Sequence, residues 1–171
     1  MPEPAQAKTL LFVWHSQTGG TAAMVEAAVG AARAQSGTDV HVRSLHADQA
    51  GPADVLQADL LVLATPECLA AVSGRLKDFL DRCYYPLLER CAGKPCALMV
   101  CAGNDGQAAI AQLRRVVAGW RLVEVAEPVL VRTGAQTPEA ILAPKTLGEG
   151  DRARCAELGA TLAAALALGV Y

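Results

Sequence analysis

Short, uninterrupted apolar runs alternate along this chain with longer stretches in which apolar residues recur every three or four positions, and that alternation restricts the fold more than any other feature. The runs are Thr9-Leu10-Leu11-Phe12-Val13-Trp14, Leu60-Leu61-Val62-Leu63-Ala64 and Cys96-Ala97-Leu98-Met99-Val100-Cys101. A strand apolar at every position needs cover on both faces, which is the condition of a central strand in a parallel sheet. Between the runs, Val25, Ala28, Val29 and Ala32, then Leu76, Phe79, Leu80 and Cys83, repeat at helical spacing. Strand and helix therefore follow one another, and the cover comes from the helices.

The remaining segments complete the pattern. The first helix runs from Thr21 and closes at Ser36-Gly37-Thr38. Val40-His41-Val42-Arg43 alternates apolar and polar, as a half-exposed edge strand does, and His41 is expected to face solvent. Gly51-Pro52-Ala53-Asp54 marks a turn with a short helix after it. The second long helix has Ser73 as N-cap, an Asp78 to Arg82 pair across one turn and an interruption at Pro86. Ile110, Leu113, Val116 and Val117 form the face of a third helix. Leu122-Val123-Glu124-Val125 and Val129-Leu130-Val131 flank Pro128, predicting a far-edge strand or a broken one. Residues 133–149 read as a long loop, and a final helix from Asp151 presents Leu158, Leu162, Ala165 and Leu166. The expectation is one α/β domain over residues 1–171, with 1–7 outside the ordered part: a doubly wound, five-stranded parallel sheet in the order 2-1-3-4-5, helices on both faces.

Composition narrows the partners. With 15 basic and 17 acidic side chains the net charge is only −2, which provides neither a phosphate-seeking basic face nor a strongly acidic docking surface. Nucleic acid is not expected as a partner. The first eight residues lack an apolar signal core and the apolar runs are too short to cross a bilayer, so a cytoplasmic protein without membrane insertion is expected. The six cysteines include no Cys-x-x-Cys pair and read as reduced, buried thiols. His15, His41 and His46 lack a metal-binding spacing, and no metal site is expected.

In a doubly wound sheet ligands sit beyond the carboxyl ends of the strands, so chemistry belongs to the loops after strands one, three and four. The first is His15-Ser16-Gln17-Thr18-Gly19-Gly20-Thr21, rich in hydroxyls and glycine and opening directly into a helix. Free N–H groups at a helix start, joined by the Ser16, Thr18 and Thr21 hydroxyls, make an anion cradle suited to a phosphate monoester. Neither Gly-Lys-Ser/Thr nor Gly-x-Gly-x-x-Gly is present in it, which argues against a nucleotide polyphosphate. Taken alone, the loop is equally a capped glycine turn.

Thr65-Pro66-Glu67-Cys68-Leu69-Ala70-Ala71-Val72-Ser73-Gly74-Arg75-Leu76-Lys77 and Cys101-Ala102-Gly103-Asn104-Asp105-Gly106 follow strands three and four. With the first loop, they resemble the flavodoxin-like FMN (flavin mononucleotide) proteins that include NAD(P)H-dependent flavin and quinone reductases, over about residues 8–120. The resemblance implies a flavodoxin-like fold, FMN as cofactor and NADH or NADPH as co-substrate. It implies that Ser16, Gln17, Thr18, Gly19, Gly20 and Thr21 hold the phosphate. It places Pro66, Glu67, Cys68 and Leu69, with Ser73, and Ala102, Gly103, Asn104, Asp105 and Gly106 about the flavin ring. Physical chemistry agrees: Pro66 stiffens its turn, and glycine lets backbone approach a ring. Trp14 is expected as a strand-end core residue.

Other classes fall away. A phosphoacceptor domain needs clustered aspartates where His15-Ser16 and Thr65-Pro66 stand. There is no Gly-x-Ser-x-Gly elbow, and Cys68 and Arg75 are one residue too far apart for Cys-x5-Arg. The expected function is an FMN oxidoreductase passing electrons to a quinone or other small acceptor, with no side chain as catalytic acid or base. The alternatives are an electron carrier between proteins and a relative of the same fold that has lost flavin. The apolar helix surfaces permit a homodimer.

Overall fold

The computed structural model describes residues 7–171, so the expectation for residues 1–7 falls, except for Ala7, outside it. The elements are β1 (Lys8–Trp14), α1 (Gly20–Ser36), β2 (Val40–His46), α2 (Pro52–Gln57), β3 (Leu60–Cys68), β4 (Ala71–Val72) and α3 (Gly74–Leu87). There follow β5 (Pro95–Ala102), α4 (Gln107–Gly119), β6 (Val123–Glu124), β7 (Val129–Arg132), α5 (Pro138–Leu142) and α6 (Glu149–Ala167).

The main strands pair in the order β2-β1-β3-β5, all parallel, and the fifth place in the sheet is shared. β6 pairs with the start of β5 and β7 with its end. Pro128, which has no N–H to give a ladder, lies in the gap between them. The doubly wound order expected from the sequence is thus the order found, with its far edge broken.

Period-two alternation in the central strands serves both faces of the sheet. Leu11, Val13, Leu61, Leu63, Leu98 and Val100 pack into one cluster with Leu76, Phe79 and Leu80 of α3 and Leu113 of α4. Leu10, Phe12, Leu60, Val62, Ala97 and Met99 pack into the other with Met24 and Ala28 of α1 and Leu162 and Ala163 of α6. Where α1 crosses α6, a methyl group on Gly159 would overlap the main chain of Ala28, so only glycine permits that approach.

Several boundaries differ from the sequence reading. β2 extends to His46 because β1 stays its parallel neighbour that far, and β3 to Cys68 because it runs parallel to β5 as far as Pro66 and then pairs antiparallel with β4. Pro86 lies in the last turn of α3, which ends one residue later. α1 begins at Gly20 and α6 at Glu149. The stretch 133–149 is not wholly loop: α5 forms there, with Pro138 in its first turn and the Thr137 side chain accepting the Ala140 N–H at 3.2 Å. The Asp78 to Arg82 pair forms at 2.7 Å, and His41 is exposed.

Candidate functional site

Beyond the carboxyl ends of β1, β3 and β5 lies a cleft of about 520 Å³, within the range of cofactor sites. Its first wall is the β1–α1 loop. Gly19 takes φ +96° as N-cap of α1, and its N–H donates to Ser16 Oγ at 3.2 Å. That turn presents Ser16, Gln17, Thr18, Gly20 and Thr21 to the cleft. Thr21 is 1% exposed, and its Oγ1 has no hydrogen-bond partner among the described residues. Gly20 fits because a Cβ there would stand 2.5 Å from Cys101 Sγ. The N–H groups of the first turn of α1 have no carbonyl within the helix to bond, so they point out of its start.

The second wall is a tight hairpin in which Glu67 pairs with Val72 and Cys68 with Ala71. The two residues between, Leu69 and Ala70, take φ +51° and +61°, the left-handed conformation that a two-residue turn of this kind requires at both positions. Leu69 is fully exposed. The Gln112 carboxamide accepts the Val72 N–H at 2.8 Å, pinning the hairpin to α4. Ser73 does not line the cleft; it is 1% exposed and caps α3 by accepting the Leu76 N–H at 3.3 Å. Its own N–H donates to Thr65 Oγ1 at 3.0 Å, so Ser73 steadies the strand beneath Pro66.

The third wall is the β5–α4 loop, where Ala102, Gly103, Asn104 and Asp105 face the cleft. Gly106 does not; at φ +84° it caps α4, and its N–H donates to Glu67 Oε2 at 3.0 Å. Glu67 thereby ties the second loop to the third. Its other oxygen, Oε1, is buried without a partner among the described residues.

A fourth wall was not expected. Thr133, Ala135, Ile141 and Lys145, from the stretch read as loop, line the cleft, as do Ala70 and Cys101. This strap is fastened at both ends: the Gly134 N–H donates to Gly103 O at 2.8 Å and the Lys145 N–H to Thr18 O at 2.8 Å. The signal for it in the sequence was Thr137-Pro138, an N-cap followed by a helix-opening proline, inside a stretch without apolar periodicity.

No aromatic side chain lines the cleft among the described residues, and Lys145 is its one cation, against the carboxylates of Glu67 and Asp105. Trp14 turns away, its indole N–H donating to Ser44 Oγ at 3.0 Å. His15 is 6% exposed and lies edge-on to His46 at 5.4 Å between ring centres. Burial pushes its imidazole pKa down, His46 and Arg75 add to this, and Asp48 opposes it. Burial likewise raises the Cys68 thiol, with Glu67 adding to it. No three metal-ligating side chains cluster among the described residues.

A parallel sheet in this order, with its cleft at the strand ends, defines a flavodoxin-like α/β protein. Residues 49–136, half of the chain, match the model of the family described as NADPH-dependent FMN reductase, and the chain belongs to that family. The matched stretch holds the second and third loops; the β1–α1 loop precedes it and Lys145 follows it. A flavodoxin of Aquifex aeolicus (strain VF5) is 34% identical over 98 residues, which is 57% of this chain. The match spans about half of that relative, 52% of its length. Among solved structures, a WrbA-like flavodoxin from Agrobacterium tumefaciens superposes with TM-score 0.73 at 17% identity, covering 94% of this chain and 98% of that one. A flavodoxin from the domain Archaea gives 0.71 at 18%, covering 92% and 98%. No helix among the described residues is long and apolar enough to cross a membrane.

Proposed function

We propose that the cleft binds FMN and that the protein is an oxidoreductase taking electrons from NADH or NADPH and passing them to a quinone or other small acceptor. The single observation that carries the cofactor is the buried Thr21 hydroxyl, unpartnered among the described residues beside the open start of α1. A buried hydroxyl without a partner costs about 1–3 kcal/mol, and a phosphate oxygen at the cradle removes that cost. Ser16, Thr18 and the N–H groups at the helix mouth supply the remaining donors.

When bound, FMN supplies the redox chemistry, accepting a hydride and releasing electrons to an acceptor. The chain's part is to position and to leave access. Pro66 and the Thr65–Ser73 hydrogen bonds hold the second loop against β3. Glu67 locks that loop to the third, so the two loops that would hold the ring keep a fixed separation. Cys68, Leu69 and Ala70 place no stacked aromatic over the cleft, which favours approach by a nicotinamide or a quinone. The rival reading is an electron carrier between proteins, and the exposed Leu69 at the cleft mouth favours it.

The discriminating measurement is the visible spectrum of the purified protein reconstituted with FMN, followed by anaerobic addition of NADH or NADPH. Loss of the flavin band within seconds supports the reductase. A yellow protein that ignores both nucleotides leaves the carrier, and a protein that retains no FMN removes the cofactor reading.

A further inference from the structure

Lys145 stands out on three independent counts. It is the one cationic side chain lining the cleft among the described residues. Its main chain is fastened to the β1–α1 loop by the bond from its N–H to Thr18 O, 2.8 Å, and its Cβ lies 3.4 Å from where a Cβ on Gly20 would stand. Its ammonium donates to Ile141 O at 2.9 Å and Ala143 O at 2.5 Å. Those are carbonyls at the end of α5, which a short helix leaves without partners of their own. Two of three ammonium donors are thereby used, and one remains. On the cradle side of the same cleft, the Thr21 hydroxyl is unpartnered among the described residues and the residue is 1% exposed.

We propose that Lys145 is the counter-charge of the phosphate in this cleft, delivered by the strap already fastened to the β1–α1 loop, so that the strap takes part in recognising the phosphate monoester. The inference rests on the cofactor reading above and deepens it. A cradle of hydroxyls and backbone N–H groups holds an anion by dipoles alone. The cleft otherwise carries two carboxylates, Glu67 and Asp105, whose field opposes a dianion. Asp151, the further carboxylate near Cys101, is engaged by Arg154 at 3.1 Å. Lys145 therefore decides between a phosphorylated flavin and the same flavin without its phosphate.

Riboflavin, which differs from FMN only in lacking the phosphate, separates this role from simple propping of the strap. In fluorescence titrations Lys145→Met weakens FMN about 10- to 100-fold, the scale of a lost charge-assisted hydrogen bond, and leaves riboflavin within about twofold of the unaltered protein. Lys145→Arg, which retains the charge, recovers most of the FMN affinity. FMN binding to the unaltered chain weakens with added salt more steeply than binding to Lys145→Met. Equal loss of both flavins, or no loss of FMN, overturns the inference while leaving the cofactor reading intact. An unaltered chain that binds neither flavin removes both.

Discussion

At the residue scale, the site is marked by polar atoms left without partners in an otherwise closed interior. Thr21 Oγ1 and Glu67 Oε1 are both buried and both belong to cleft-lining residues. Thr21→Val exchanges the hydroxyl for a methyl of the same shape, so its two effects have opposite signs. The ligand-free protein gains about 1 kcal/mol in urea unfolding because a desolvated hydroxyl disappears, while FMN affinity falls about 5- to 10-fold. A variant that loses stability in the free protein shows that the hydroxyl has a partner within the fold. Ser73 teaches the complementary lesson: the same residue that fits a ligand-binding motif is consumed by helix capping and by Thr65.

At the scale of elements, the hairpin of β3 and β4 holds two non-glycine residues at positive φ, Leu69 and Ala70. The left-handed conformation costs about 1–2 kcal/mol per residue of this kind. Replacing the pair by Asn and Gly, as Leu69→Asn with Ala70→Gly, relaxes the turn and raises stability by about 2 kcal/mol in chemical denaturation. No change in the midpoint contradicts this account of the turn. The same pair explains what the sequence concealed. The apolar runs announced β1, β3 and β5, and helical spacing announced α1, α3 and α4, because those elements bury the faces that carry the pattern. A hairpin without Asn or Gly at its turn has no local signature, since its φ values are imposed by the pairing of Glu67 with Val72 and of Cys68 with Ala71 on either side of it. The strap was hidden for the opposite reason: α5 buries no residue and so has no periodic face to read. Of the proposed site, the first three loops were legible from their hydroxyls, proline and glycines, whereas the fourth wall was not.

At the scale of the whole molecule, the six thiols report on the integrity of both layers. Five are buried and Cys68 is half-buried in the cleft. In the native protein a thiol reagent therefore modifies Cys68 alone, and slowly, since its thiol is held up by burial and Glu67. All six react after denaturation, and FMN shields Cys68. Burial raises Cys83, Cys101 and Cys155 from 9.0 to about 11, and Cys96 to about 12. The folded chain then holds protons that the unfolded chain has released, so stability is full below pH 9 and declines between pH 9 and roughly 11–12. Urea midpoints across that window give the check, and a flat profile refutes the assignment.

The strap carries a consequence for how such a protein can be varied. Residues 136–144 are all exposed, and the segment is fastened through Gly134 to one loop and through Lys145 to another. A panel hung from two hinges can be re-cut without redrawing the frame. Exchanging only that stretch, with Gly134 and Lys145 kept as mounting points, reshapes one rim of the cleft while the sheet and its helices stay as they are.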